Sequence, residues 1–193
     1  MHCASVFASA CTSLGGVLIT AADSVLLLID LQAKLVPALA DGALVLARAV
    51  RLAEAARLLD VPVRATEQYP AGLGPTVPEL VGYPGATLAK RGFSAVRDPG
   101  FAGLLPDAAA QVVIAGCEAH VCVQQTVADL LAAGREVFLA ADAVGSRFAE
   151  DKRAALERAR QHGAQVVTSE MVLFEWLGDS RHPKFRGVQD LLK

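Results

Sequence analysis

The chain has 193 residues, 53% of them apolar and 20% charged, enough to bury a full core, which excludes an unfolded chain and a miniprotein held by disulfides. Its 18 basic and 20 acidic residues give a formal net charge of -2 and lie scattered along the sequence, so no electrostatic footprint marks a nucleic-acid partner. No stretch of about 18 uncharged apolar residues has the uniform character of a membrane span. The four cysteines, Cys3, Cys11, Cys117 and Cys122, form no CxxC pair and have no histidine cluster beside them, which speaks against a disulfide framework or a zinc site and for a reducing, cytoplasmic setting. Residues 1–22 carry no charged side chain apart from His2 and lack the positive flank of a secretory signal. They are read as a poorly ordered N-terminal extension to one domain spanning 23–193.

Val25-Leu26-Leu27-Leu28-Ile29 is a continuous apolar run, the mark of a strand buried on both faces. Apolar residues at helical spacing then predict a helix over 42–59, followed by a strand over 61–66. Eight glycines and prolines between Pro70 and Gly85 predict a long loop without regular structure. A weaker strand, Thr87-Leu88-Ala89, stops at Lys90, and a short helix is expected near 98–105. The strongest strand, Gln111 to Gly116, leads into a helix over about 119–133 that Gly134 ends. A strand over 135–140, an amphipathic helix over 150–162, a short strand over 165–168 and a helix opening at Ser169 complete the series. Strands alternating with helices predict a three-layer α/β/α sandwich with a mostly parallel, six-stranded Rossmann-like sheet.

In such sheets ligands bind at the carboxyl ends of the strands. Asp30 follows the first strand, Lys90 the third, and Cys122 lies in the first turn of the helix after the fourth. Taken singly each has a plain structural reading or none: Asp30 as a helix cap or solvated carboxylate, Cys122 as a packed thiol, while Lys90 alone says even less than Asp30. A cysteine near a helix start can also have its pKa lowered by the helix dipole. Together the three supply a base, a cation and a nucleophile, the groups covalent catalysis needs. Cys117 reads as packed, and His120 as either a second base or a polar residue of the first turn. Tyr69 and Phe93, like Trp176, fit either a pocket wall or the core. The turn after the first strand, Asp30-Leu31-Gln32-Ala33-Lys34, lacks the glycines of a dinucleotide site, and no GxxxxGK[ST] occurs. No cofactor is expected.

With these residues in view, the chain resembles the isochorismatase-like cysteine hydrolases from Ser24 to Lys193. The resemblance rests on Leu28 to Gln32, Lys90 to Ser94, Ala115 to Val123 and Ala141 to Arg147. Thr66 to Pro70 with Gly72 to Leu80 looks like the isochorismatase domain-containing subgroup. What the resemblance implies is a triad in which Asp30 takes the thiol proton, Lys90 stabilises the thiolate and Cys122 attacks a carbonyl. It also implies a non-proline cis peptide at Cys117-Glu118 and an oxyanion hole made by the backbone amides of Glu118 and Cys122. Nicotinamidases of the family hold a metal through an acidic residue and histidines near the end of the second strand. Here Glu67-Gln68-Tyr69 stands without a histidine, so no metal is expected.

The reading is a metal-independent cysteine hydrolase of a small amide, imide or carbamoyl compound, most simply at a C–N bond, with Glu67, Tyr69, Phe93 and His120 lining the pocket. A metal-assisted, nicotinamidase-like amidase and a non-catalytic interaction or thiol-sensing module on the same fold are the alternatives. The apolar surplus, including Met171-Val172-Leu173-Phe174 and Trp176, predicts a homo-oligomer, a dimer or tetramer.

Overall fold

The computed structural model describes residues 18–193; Cys3, Cys11 and the stretch 1–17 of the expected extension lie outside the described residues. Of the remainder of that extension, Ile19 is buried, and the Thr20 amide donates to Gln111 Oε1 at 2.8 Å. The strand β1 (Ser24–Ile29) is buried at every position. Its apolar run is unbroken because both faces are covered. Leu26 and Leu28 enter one core with α1 (Gly42–Leu58) and α5 (Ser169–Leu177), whereas Val25, Leu27 and Ile29 enter the other with α3 (Gln124–Ala132) and α4 (Ala149–Gln161). The layers α/β/α are thus written into the alternation of one strand.

The other strands are β2 (Val63–Gln68), β3 (Ala86–Lys90), β4 (Gln111–Cys117), β5 (Glu136–Gly145) and β6 (Gln165–Val167), and the sheet order is β3-β2-β1-β4-β5-β6 with every pairing parallel. From β1 the chain moves outward to β2 and β3, then returns to the far side of β1 for β4, β5 and β6. The order therefore reverses between β1 and β4, and a crevice opens at their carboxyl ends. Close approach here requires Gly116: its φ is +135°, and a Cβ at this position would stand 2.0 Å from the Ile29 carbonyl oxygen.

Several boundaries depart from the sequence reading. β2 begins two residues later than expected because Pro62 has no N–H to give the ladder, and it continues through Gln68. The loop after it is not free of regular structure: Pro70–Leu73 forms a helical turn α2, and Thr76 makes an isolated antiparallel bridge with Gln32. The expected helix near 98–105 is a 3-10 turn over Pro99–Gly103, capped by Asp98. β5 runs on to Gly145 past an irregularity opposite Ile114/Gly116. A further short helix, α6 (Phe185–Asp190), buries only Val188 and left no apolar stripe to read. In α5, Val172, Leu173 and Trp176 are core residues, so the apolar segment leaves only Met171 and Phe174 on the surface. Among the described residues no helix is long and apolar enough to cross a membrane.

Candidate active site

Asp30 ends β1 with a positive φ of 52°, a conformation that aspartate tolerates better than most residues. Its carboxylate is held at the carboxyl end of this central strand, where Lys90 and Thr66 meet it. Lys90, the last residue of β3, reaches across β2, and its Nζ lies 2.7 Å from Asp30 Oδ2, both side chains fully buried. The pair has further partners. Thr66 Oγ1 donates to Asp30 Oδ1 at 2.6 Å, and Lys90 Nζ donates to Gln68 Oε1 at 2.8 Å. A buried ion pair needs such additional bonds, because Coulomb attraction alone does not offset the desolvation of both charges.

Cys122 lies on a π turn, Ala119–Val123, interposed between β4 and α3. A cis peptide bond joins Cys117 to Glu118 just before it. The Cys122 side chain lines a cavity of about 380 Å³ with Leu35, Ala38, Gln68, Leu73, Phe93, Glu118, Val121 and Arg147. The walls are mainly apolar; the polar groups are Gln68 and the Glu118–Arg147 pair, whose Nε to Oε2 distance is 3.0 Å. Burial pushes the Cys122 thiol up to about 12, the neighbouring Asp30 carboxylate adds to the rise, and Lys90 opposes it. This corrects the lowered pKa inferred from the helix dipole. Burial dominates, and the residue sits in a π turn rather than the first turn of a regular helix. Cys117 is fully buried, gives its thiol to the Asp30 carbonyl oxygen at 3.1 Å and is likewise held protonated by burial.

The structure gathers Asp30, Lys90 and Cys122 at one crevice and puts Phe93 in the cavity wall. It places three other residues elsewhere. Glu67 alternates to the opposite face of β2 from Gln68, and its Oε1 accepts from the amide and hydroxyl of Thr76, both at 2.7 Å. It anchors the loop and does not line the cavity. Tyr69, with a φ of 41°, carries the Arg91 guanidinium 3.9 Å from its ring centroid and borders a separate small cleft. His120 turns toward Ser146, 3.0 Å from its Nδ1. Sequence reasoning missed Gln68, Thr66, Gln32 and Arg147. Gln32 is fully buried and clasps the Gln68 backbone, accepting from its N–H at 2.8 Å and donating to its carbonyl at 3.1 Å. The available signal was polar residues two apart, Thr66 and Gln68, at the end of an otherwise interior strand.

The site thus lies in a three-layer α/β domain where a thiol, a carboxylate and an ammonium converge at the switch point of a parallel sheet. The family model for the Isochorismatase domain matches residues 24–171, and the chain belongs to that family. Human isochorismatase domain-containing protein 2 is 43% identical over 189 residues, covering 96% of this chain and 90% of the human one. A solved structure of the MAR1 ribonuclease from Caenorhabditis elegans superimposes with a TM-score of 0.86 at 38% identity, covering 91% of this chain and 92% of that one. The YcaC gene product of Escherichia coli, an octameric hydrolase of unknown specificity, gives 0.79 at 25% identity, with 93% and 99% covered.

Proposed function

We propose that this isochorismatase-family hydrolase is a metal-independent cysteine hydrolase of small amide, imide or carbamoyl compounds. The observation that carries the reading is the fully buried Lys90–Asp30 pair, 2.7 Å apart, beside a thiol at the floor of an apolar cavity. The thiol rests protonated. As a substrate carbonyl arrives, Asp30 takes the thiol proton, Sγ forms a bond to the carbonyl carbon, and the amides of Glu118 and Cys122 receive the developing oxyanion. Collapse breaks the C–N bond, the amine leaves with the proton from Asp30, and an acyl thioester remains. Water, deprotonated by Asp30, then adds to the thioester and the Cys122 thiol is restored.

The cavity fits a compact substrate better than a polymer. The similar nematode protein is named a ribonuclease, but here both cations at the site, Lys90 and Arg147, are matched by carboxylates, which leaves little net attraction for a phosphate backbone. For the nicotinamidase-like alternative the donor set is unfavourable: Glu67 is occupied by Thr76, and no group of three or more His, Cys, Asp or Glu side chains able to hold a metal occurs among the described residues. The test is a panel of small amides and carbamoyl compounds, with mass detection of an adduct on Cys122. Turnover is expected to survive dialysis against EDTA; loss that zinc or iron restores would overturn the metal-free reading.

The same reading includes a homo-oligomer. On α5, Met171 and Phe174 expose 46% and 42% of their surface, apolar area that a second subunit could cover, and the similar bacterial hydrolase is octameric. Light scattering at micromolar concentration is expected to give a dimer or larger assembly, and a monomer would sink the idea.

A further inference from the structure

We infer that His120 is a positioning residue: through its Nδ1 contact with the buried Ser146 it fixes the π turn that carries Cys122, without itself meeting substrate. The inference rests on Cys122 being the nucleophile. A π turn closes wider rings than an α-helix and is the less stable geometry, so something outside its own backbone has to hold it. Here the Val123 amide reaches back to the Glu118 carbonyl at 3.2 Å, and Glu118, at the N-cap position, makes no side-chain capping bond. Its carboxylate instead receives the Arg147 backbone N–H at 2.9 Å and the Arg147 Nε at 3.0 Å.

The turn is therefore tied to the segment just after β5 by two side-chain pairs, Glu118 with Arg147 and His120 with Ser146. They are unequal. The Arg147 side chain is 56% exposed, so its pair is screened by water. Ser146 is only 1% exposed, and its hydroxyl lies 3.0 Å from His120 Nδ1. A hydrogen bond to a buried hydroxyl is costly to leave unmade. The other ring nitrogen, Nε2, lies 3.7 Å from Asp151 Oδ2 on α4, too far for a good hydrogen bond. The Ser146 hydroxyl can donate to Nδ1 or accept from it, according to the ring tautomer, so the contact is kept in either form. Ser146 also has a backbone contact. Its carbonyl accepts the Ala40 amide at 3.1 Å, two residues beyond Ala38 of the cavity lining. Ser146 thus joins the turn that carries Cys122 to the segment that brings Ala38 to the cavity, and His120 is the arm that makes the connection.

The test uses iodoacetamide, a small amide that needs no knowledge of the natural substrate: Cys122 Sγ displaces iodide from its carbon, the thiol proton passes to Asp30, and mass spectrometry follows the adduct. His120→Ala is expected to slow adduct formation on Cys122 by about tenfold, as a misplacement of the attacking atom does, with the thermal midpoint and circular dichroism little changed. Asparagine places an amide atom where Nδ1 stands and glutamine where Nε2 stands. His120→Asn should therefore restore most of the rate and His120→Gln should not. Ser146→Ala should slow the reaction comparably, and the double variant His120→Ala/Ser146→Ala should be no slower than either single one, the non-additivity of one shared contact. Equal rates in the wild type and His120→Ala, additive losses, or rescue by glutamine instead of asparagine would each overturn the inference. Should Cys122 of the wild type fail to react at any pH while other thiols do, the nucleophile assignment itself fails, an outcome distinct from these.

Discussion

Replacing Cys122 by alanine or serine is expected to reduce turnover of whichever panel compound responds by about 10⁴-fold or more, the scale on which a covalent nucleophile is lost. Serine is the sharper variant, since it nearly preserves the volume of a side chain that is only 6% exposed and leaves the fold as a control. A folded Cys122→Ser enzyme with near-normal turnover would remove the thiol from the mechanism. The wild-type thiol should also show its environment in a pH series. Because the fold pushes it up to about 12, its alkylation should climb from pH 9 upward rather than level off below pH 8. The sign for stability follows: above the ordinary thiol pKa near 9, the unfolded chain gives up a proton that the folded chain retains, so stability falls as pH rises from about 9 towards 12. A plateau in labelling below pH 8 would mean a thiolate preformed by Lys90, and Asp30 would then have no proton to take from it.

What the sequence disclosed and what it hid divide along a physical line. Val25 to Ile29 is apolar at every position, and such a run has one economical explanation, a strand covered on both faces; from it and the helix spacing the layers followed. Asp30 and Lys90 were found because a charge directly after an interior strand stands out. Glu67 and Gln68 could not be told apart in the same way. They point to opposite faces of β2, and a one-residue change of phase, which the start of the strand at Val63 decides, exchanges the anchor of a loop for the wall of a cavity. Gln68, next to Lys90 in register, took the place at the site that sequence reasoning gave to Glu67. The thiol shift was misjudged for another reason. The dipole of a helix start can be read from neighbouring residues, whereas desolvation depends on everything folded over the group, and here desolvation is the larger effect. His120 sits two residues from Cys122, yet its contacts come from Ser146, just after β5, and from Asp151 on α4, segments that only the fold brings near it.

Lys90→Met is expected to cost both activity and stability, although as an isolated residue after a short strand Lys90 looked dispensable to the fold. Its ammonium is fully buried and makes bonds of 2.7 Å to Asp30 and 2.8 Å to Gln68. Removing it leaves the Asp30 carboxylate buried beside a protonated thiol with the Thr66 hydroxyl as its nearest support, and an uncompensated buried charge of this kind costs about 3–5 kcal/mol. For a domain of this size that is a fall of roughly 10 °C in thermal midpoint. Turnover should be lost as well, and because Lys90 is the group that opposes the upward shift of the Cys122 thiol, the alkylation profile should move to still higher pH. The double variant Asp30→Asn/Lys90→Met separates the two roles. With the charge neutralised, most of the stability should return, since an ion pair replaced as a unit is often nearly neutral to the fold. Activity should not return, because no base remains to take the thiol proton. A single variant as stable as the wild type would mean that the pair contributes nothing to the fold, and recovery of turnover in the double variant would mean that Asp30 is not the base.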